Sequence, residues 1–571
     1  MLLNSSSLNN SYSQLDHIYS NIVSLITRCA NNSIDIYEQP VALVTNNTRP
    51  PFFPLTQEQL ATKQESIAAF HEYGNYIDTL IAGDLTQFAS KRIHKMNRNT
   101  ISLPIKNIEE NAQNLVERFN IHSSPSSKSF YLNKCTGIGT RVKLCSLDEF
   151  LAIVATLPKN KSAGIDKIPY ELLTYACDEL LITIYKFFEM CILCASIPHQ
   201  WMEVIICLIY KNKGSPLDVN NHRPLSLFVV LRKIFGKCIK KSIHALINKQ
   251  DNINFGYKAG QGIEDAIRCF EDHRITILEN SSIVLQIHLD IQKAFDSLNR
   301  HFVLMALIEE FGDSTLVGLI YDFMQSRPRI RNLNKYSTVK ETCNGIGQGD
   351  VLSPCIFTYG LGKAIQLLPN ELLIALFADD SHVAISIKQS IERLFQELEI
   401  AFEPAGLALN RNKCVIVIKQ KDKDKIVDAP EGIQITSGSR RLLGIMYGPN
   451  GIDYKAIPLA RKSAVALNKH ELNLIGYHFL NIKQKLQWFT CFIRPAIFFG
   501  CGLMDPSKHG CITPCKDICS LFRKELKIAL NVQPWCPNIV ALGIVNSITG
   551  LDYINYLFIK SEFKFKFMQL Y

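Results

Sequence analysis

Four things are missing from this 571-residue sequence: a dense cysteine framework, a secretory signal, an unbroken apolar run of membrane length and an internal repeat. The 18 cysteines are scattered, which excludes a small disulfide-stapled secreted scaffold and fits a reducing compartment with most thiols acting as small buried apolar groups. Cys191-x-x-Cys194 lies in an apolar helical run, where core packing accounts for both. Cys501, Cys511, Cys515 and Cys519 lack both a C-x2-C pair and a suitably spaced His, and the spacing of the last three is helical, so no zinc site is expected there. The opening Met1-Leu2-Leu3-Asn4-Ser5-Ser6-Ser7 lacks the charged start and apolar core of a signal peptide. The greasiest stretch, 179–197, is interrupted by Lys186 and Glu189, which predicts a core helix rather than a bilayer span. The expectation is an intracellular protein of nucleus and/or cytoplasm, with no membrane partner.

What is present is a globular composition, 47% hydrophobic and 20% charged. The length allows a large core and about three or four domains. An excess of 62 Lys and Arg over 52 Asp and Glu leaves a net charge of +10, which suits a polyanionic partner such as nucleic acid. Residues 1–55, rich in Asn and Ser and ending in Pro50-Pro51-Phe52-Phe53-Pro54, read as a loosely ordered lead-in. A helical pattern over 57–97 ends in the basic cluster Lys91, Arg92, His94, Lys95 and Arg98, either a solvated face or a nucleic-acid contact. Residues 120–145 look loop-like, and a denser mixture of helices and strands begins at 147.

Within it, 282–290 has the β-branched and apolar run of a central strand. Residues 301–325 read as one amphipathic helix, 389–404 as another, and the charged run 419–425 as an exposed loop. After 455 the pattern is helical and basic. Helices mixed with antiparallel strands predict an α+β core with helical flanks.

The chemistry concentrates at Phe377-Ala378-Asp379-Asp380, between the two β-prone runs of 372–387. This predicts a hairpin with adjacent carboxylates at its tip. Two like charges at a strand end repel and lose hydration, and a hard divalent cation is the usual compensation. A second acidic element is Leu289-Asp290-Ile291-Gln292-Lys293-Ala294-Phe295-Asp296. Asp290 closes the predicted strand, while Asp296 begins the next helix, where a carboxylate suits the helix dipole. A strand ending in one acid and a hairpin tipped by two more can assemble the ligand set of a two-metal phosphoryl-transfer site.

The pattern D-x4-F-D followed by Phe377-Ala378-Asp379-Asp380 resembles the reverse transcriptase of non-LTR (LINE-type) retrotransposons. The flanking blocks resemble that family in its order. They include Lys161-Ser162-Ala163-Gly164-Ile165-Asp166-Lys167-Ile168-Pro169, Ile197-Pro198-His199-Gln200-Trp201 and Leu208-Ile209-Tyr210-Lys211-Asn212-Lys213-Gly214. Asn221-His222-Arg223-Pro224-Leu225-Ser226-Leu227 and Phe255-Gly256-Tyr257-Lys258 follow. Gly345-Ile346-Gly347-Gln348-Gly349-Asp350-Val351-Leu352-Ser353-Pro354 and Gly406-Leu407-Ala408-Leu409-Asn410-Arg411-Asn412-Lys413 come next. Leu443-Gly444-Ile445 is similar to the primer-grip element, and Arg494-Pro495-Ala496-Ile497-Phe498-Phe499-Gly500 to a thumb segment. The resemblance covers about residues 147–500.

It implies a right-hand palm polymerase: fingers over 147–280, palm over 281–450, helical thumb over 451–571, and an N-terminal extension over 1–146. It implies an RNA-directed DNA polymerase, a nucleotidyltransferase using dNTPs, an RNA template and a DNA primer or target. Asp290, Asp379 and Asp380 would be the catalytic residues, holding two Mg²⁺ ions for which Mn²⁺ can substitute. Phe295 would lie under the incoming sugar and exclude a 2′-hydroxyl. Lys211 and Arg223 would reach the triphosphate, and Gln348 and Gly349 would approach the template base pair. Lys413 would either donate a proton to pyrophosphate or be a plain surface lysine. The departures are Gly347, where many relatives carry Arg or Pro, Asn254, where a Gln is common, and His222, where an aromatic is usual. No endonuclease segment is recognised, which predicts a polymerase-only reading frame. The alternatives are a decayed nucleic-acid-binding remnant of the same fold and a group II intron maturase-like polymerase. Oligomeric state is not encoded in any recognisable pattern.

Overall fold

The structure is a computed structural model. It describes residues 12–24, 26, 108–117 and 126–545, with short breaks at 138–140, 160, 212–213, 216–217, 248–253, 259, 333–334, 370–371, 427, 475–476, 478–479, 506–509, 538–540 and 542–543. The basic cluster at 91–98 lies outside the described residues, as does most of the 1–55 lead-in. The chain divides into two compact units, Met1–Val41 with Thr100–Thr436 and Ala42–Asn99 with Ser437–Tyr571.

Among the described residues the first unit carries nine strands: β1 (Glu203–Tyr210), β2 (His222–Leu227), β3 (Val284–Leu289), β4 (Arg327–Asn332), β5 (Lys335–Tyr336), β6 (Leu373–Phe377), β7 (Asp380–Ser386), β8 (Val415–Val417) and β9 (Gln434–Thr436). They form a four-stranded sheet in the order β2-β1-β4-β5 and a five-stranded sheet in the order β6-β7-β3-β8-β9. β3 is central, as its composition predicts. Five of its six residues are buried, so both faces must be covered. On one face the rings of His288 and His382 lie against Phe270 of the helix Ile263–Asn280. Leu285, Ile287 and Leu289 join a continuous core with Phe357, Leu361, Phe395 and Phe402 from the helices Ser353–Ile365 and Ile391–Phe402. The ladders are mostly antiparallel, but β1–β4 and, in the expected antiparallel palm sheet, β8–β9 are parallel; with the separate helices they make this a mixed helix-and-sheet unit.

Four local expectations need correction. The 301–325 stretch is two helices, Arg300–Phe311 and Ser314–Met324. Gly312 ends the first in a left-handed conformation (φ 59°), and the Asp313 side chain caps the second by accepting from the Leu316 amide. Residues 12–24 are helical, not a loose lead-in, and bury Tyr12, Leu15, Tyr19 and Ile22. These recur at i, i+3, i+7 and i+10, a helical period hidden by the surrounding Asn and Ser. The loop-like 120–145 region contains a short helix, Lys128–Leu132, whose buried Lys128 pairs with Asp322 at 2.7 Å. The charged run at 419–425 folds as a 3₁₀ helix, Gln420–Lys425, with Asp422 buried and paired to Lys425.

The second unit holds a three-stranded meander, β10 (Arg440–Leu442), β11 (Ile445–Gly448) and β12 (Gly451–Ile452), followed by helices. Leu443 and Gly444 both take positive φ, 46° and 89°, as a two-residue turn of type I′ requires. A β-carbon on Gly444 would stand 3.0 Å from the Phe499 ring, and one on Gly500 would collide with Ile445. The primer-grip-like and thumb-like segments therefore pack against each other within this unit. Among the described residues one helical stretch, Ile482–Leu503, is long and apolar enough to cross a membrane, with a mean hydropathy of 1.3. It packs with the helices Ala456–Leu474 and Ile512–Ala529 and buries Leu486, Trp488, Phe489 and Ile493. The 179–197 stretch, expected to be the greasiest, overlaps the helix Asp178–Leu193, which buries Leu180, Leu181, Ile184, Phe187 and Phe188; the apolar helices among the described residues are instead Ile482–Leu503 and the shorter Ser314–Met324. Cys511, Cys515 and Cys519 are buried, and no disulfide or metal cluster joins any cysteine among the described residues.

Candidate active site

Register decides the site. β7 runs antiparallel to β3 with Leu289 opposite Ser381, and β6 pairs with β7 with Phe377 opposite Asp380. Asp290, one residue beyond β3, and Asp380, the first of β7, therefore reach the same end of the sheet. Ala378 and Asp379 form the turn between β6 and β7, with Ala378 left-handed at φ 58°. That conformation is uncommon for a residue with a β-carbon, and such strain persists only where the surroundings enforce it.

The electrostatics follow from this crowding. The Asp380 carboxyl is pushed up to about 6, first by the atoms packed round it and then by the charges of Asp379 and Asp290. The residue keeps solvent contact, so the shift reflects local crowding and not full burial. Lys413 Nζ stands 3.1 Å from Asp290 Oδ2 and supplies one counter-charge. With the lysine side chain 66% exposed, that pair contributes roughly 0–1 kcal/mol. Lys413 closes the 3₁₀ turn Arg411–Lys413 just before β8, the neighbour of β3, and the Asn410 amide donates to the Asp290 carbonyl at 2.7 Å.

A cleft of about 610 Å³ opens beside the turn. Lys211, Arg223, Phe295, Gln348, Gly349, Lys413 and Asp379 line it; Asp290 and Asp380 do not. Lys211 follows β1, with its Nζ donating to the Asn220 carbonyl, and Arg223 lies exposed on β2. Phe295 is half-buried and stacks on Phe357, centroids 4.5 Å apart. Gln348 is fixed twice: its carbonyl accepts from the Ser226 amide at 2.8 Å, and its side-chain amide donates to Asp296. Gly349 takes φ 120°, and a β-carbon there would stand 2.7 Å from the Ser226 carbonyl oxygen. Only glycine lets the chain lie that close to β2.

Asp296 does not serve as the expected cap. It lies buried inside the single turn Ala294–Ser297, bound to Gln348, and the long helix that follows is capped by Asn299. The departures at Gly347 and His222 have packing explanations. A β-carbon on Gly347 would meet the Phe228 ring at 2.5 Å, leaving no room for a larger residue. His222 is buried, with Nδ1 bonded to the Asp218 carbonyl and its ring near Tyr210.

Two features of residues inside these blocks are not readable from the blocks themselves. Asp350 forms a fully buried ion pair with Arg232 at 2.6 Å, and Arg232 also donates to the carbonyls of Trp201 and Phe323. That pair anchors the Gln348-Gly349 loop, but no local pattern links residues so far apart. Tyr257 also lines the cleft, with its phenol raised by burial and then by the charge of Asp379.

Among the described residues no group of three or more His, Cys, Asp or Glu side chains is arranged to hold a metal ion. The donors are nevertheless of the right kind. Asp379 and Asp290 both raise Asp380, and mutually repelling carboxylates are hard oxygen ligands suited to a divalent cation.

The profile of the family described as "Reverse transcriptase (RNA-dependent DNA polymerase)" matches residues 209–479. The chain is 25% identical over 330 residues to the RNA-directed DNA polymerase from mobile element jockey of Drosophila melanogaster, covering 54% of this chain and 36% of that protein. It is 24% identical over 239 residues to the probable RNA-directed DNA polymerase from transposon X-element of the same species, covering 41% of this chain and 26% of that protein. The chain thus spans between about a quarter and about a third of the length of these relatives. Among solved structures, the apo telomerase of Candida tropicalis aligns at 12% identity and a TM-score of 0.38, over 63% of this chain and 62% of that one.

Proposed function

Because this chain carries a reverse transcriptase domain over residues 209–479 and is related to the RNA-directed DNA polymerases of non-LTR retrotransposons, we propose that it copies an RNA template into DNA, transferring dNMP from a dNTP to a primer 3′-hydroxyl. The observation that carries this reading is the meeting of Asp290, Asp379 and Asp380 at one sheet end beside a cleft lined by basic, aromatic and glycine positions. In this reading 147–280 are fingers, 281–450 palm, 451–571 thumb and 1–146 an extension. Template and primer would be gripped through their phosphates, with salt-dependent affinity.

The residues divide the work by chemistry. Asp290, Asp379 and Asp380 would hold two divalent ions, magnesium or manganese, which when bound lower the pKa of the attacking hydroxyl and neutralise charge on the triphosphate. Lys211 and Arg223 meet the triphosphate, the guanidinium as a bidentate fork and the ammonium as a point charge. Phe295, stacked on Phe357 and lining the cleft, would exclude a 2′-hydroxyl of the incoming sugar. Gln348 and Gly349 bring backbone up to the base pair. Lys413, paired with Asp290 in the free protein, can turn to the leaving pyrophosphate and supply its proton. Nucleotide substrates and scattered thiols favour work inside the cell.

Primer extension on a homopolymeric RNA template with Mg²⁺ tests the reading by comparing the unaltered chain with Asp379→Ala. Incorporation abolished by the substitution supports it. Equal incorporation by both overturns the site, and none by either favours a binding-only remnant.

A further inference from the structure

The left-handed Ala378 needs an explanation, because nothing in its own side chain favours that conformation. The segment Asn254-Phe255-Gly256 provides one. Asn254 is fully buried, and its Oδ1 accepts from the amides of Gly256 (2.9 Å) and Ala378 (3.2 Å), while its Nδ2 donates to the Ala378 carbonyl (3.5 Å). One side chain thus grips both sides of the strained residue. Alongside it the Phe255 amide donates to the Leu376 carbonyl at 2.9 Å, and Asn254 bridges Leu376. Gly256 completes the splint by lying so close that a β-carbon would stand 2.4 Å from the Ala378 nitrogen.

We propose that Asn254 is a positioning residue: it holds Ala378 left-handed and so aims Asp379 and Asp380 toward the end of β3 that carries Asp290. The segment lies far from the hairpin in sequence and touches neither aspartate side chain in these bonds; its action runs through the backbone of the turn. The kinetic consequence rests on the polymerase reading, but the clamp itself is a conformational property that can be measured without turnover.

Without the Asn254 amide, Ala378 relaxes toward an ordinary conformation, and only the fraction still left-handed presents the aspartates correctly. An alanine in that region is disfavoured by enough to lower the competent fraction about tenfold. Glycine has no such penalty, so Ala378→Gly should make the clamp largely dispensable.

The experiment is a double-mutant cycle of Asn254→Ala and Ala378→Gly, read by primer extension and by hydrogen exchange of the hairpin amides. With Ala378 in place, Asn254→Ala should lower kcat about tenfold while KM for dNTP stays within about twofold. In the Ala378→Gly background the same substitution should lower kcat less than about threefold. Exchange of the Ala378 amide should quicken in Asn254→Ala while amides of the helix Val230–Ile247 keep their protection. An unchanged kcat and unchanged exchange in folded Asn254→Ala would overturn the proposal. So would an equal loss in both backgrounds, or a loss of protection throughout the unit, which would mark a purely structural residue. If the unaltered protein incorporates nothing, the polymerase reading fails, and the exchange arm still decides the clamp.

Discussion

Replacing Gly349 by alanine tests the cleft wall most directly. The backbone there sits at φ 120°, a conformation that L side chains rarely adopt, and an added β-carbon would stand 2.7 Å from the Ser226 carbonyl oxygen. Neither partner can easily retreat. Ser226 is held in the β1–β2 ladder opposite Ile206, and its amide donates to the Gln348 carbonyl at 2.8 Å. On the other side Asp350 is tied to the buried Arg232. Backbone strain of this kind costs on the order of 1–3 kcal/mol, and relieving the contact must break the Ser226–Gln348 bond, worth about 1 kcal/mol. The sum is about 3 kcal/mol, roughly a hundredfold in an equilibrium constant. It will emerge as lost stability, as displacement of Gln348, or as both. Urea unfolding measures the first, and KM for dNTP the second. A variant within about 0.5 kcal/mol of the parent, the range of a neutral surface change, with unchanged KM would show that the loop has room for a side chain after all.

Three further outcomes are expected. Arg232→Ala leaves Asp350 as an uncompensated buried charge and should destabilise the protein by about 3–5 kcal/mol in chemical denaturation; a loss below about 1 kcal/mol would contradict the anchoring role. Phe295→Val should raise ribonucleotide over deoxyribonucleotide incorporation about tenfold or more, measured by competing the two in primer extension, and no change in that ratio would count against the sugar contact. Asp380 has its carboxyl raised from 3.8 to about 6, so ionisation works against the fold, and stability due to this group is lost as pH rises through that window. In metal-free buffer the melting temperature of the unaltered protein should therefore fall relative to Asp380→Asn between about pH 4 and pH 7. A difference that stays flat across that range would remove the crowding argument.

The strands that matter were legible because they are short, apolar and β-branched, and because Asp290 and the Asp379-Asp380 pair interrupt them where hydrophobic runs end. The cleft positions Lys211, Arg223, Phe295, Gln348, Gly349 and Lys413 were legible through the order of conventional blocks around them. The break at Gly312 is invisible to periodicity, because the apolar period continues across it and predicts one helix. The helix at 12–24 is hidden for the opposite reason, a polar composition masking a regular apolar stripe.

By itself the sequence determined which carboxylates end strands, which glycines and aromatics accompany them, and that the chain is a globular α+β protein with a basic balance. These are local properties, set by side-chain chemistry and the two-residue and 3.6-residue periods of the backbone. Tertiary structure alone decided the rest. The β3–β7 register brings together acids that lie far apart in the chain. The Arg232–Asp350 pair anchors the Gly349 loop, and Asn254 holds Ala378 in a conformation its own residue type disfavours. Each depends on groups distant in sequence meeting, the last two in a dry interior. There a hydrogen bond or ion pair is strong enough to override local preference, and no short-range pattern announces it.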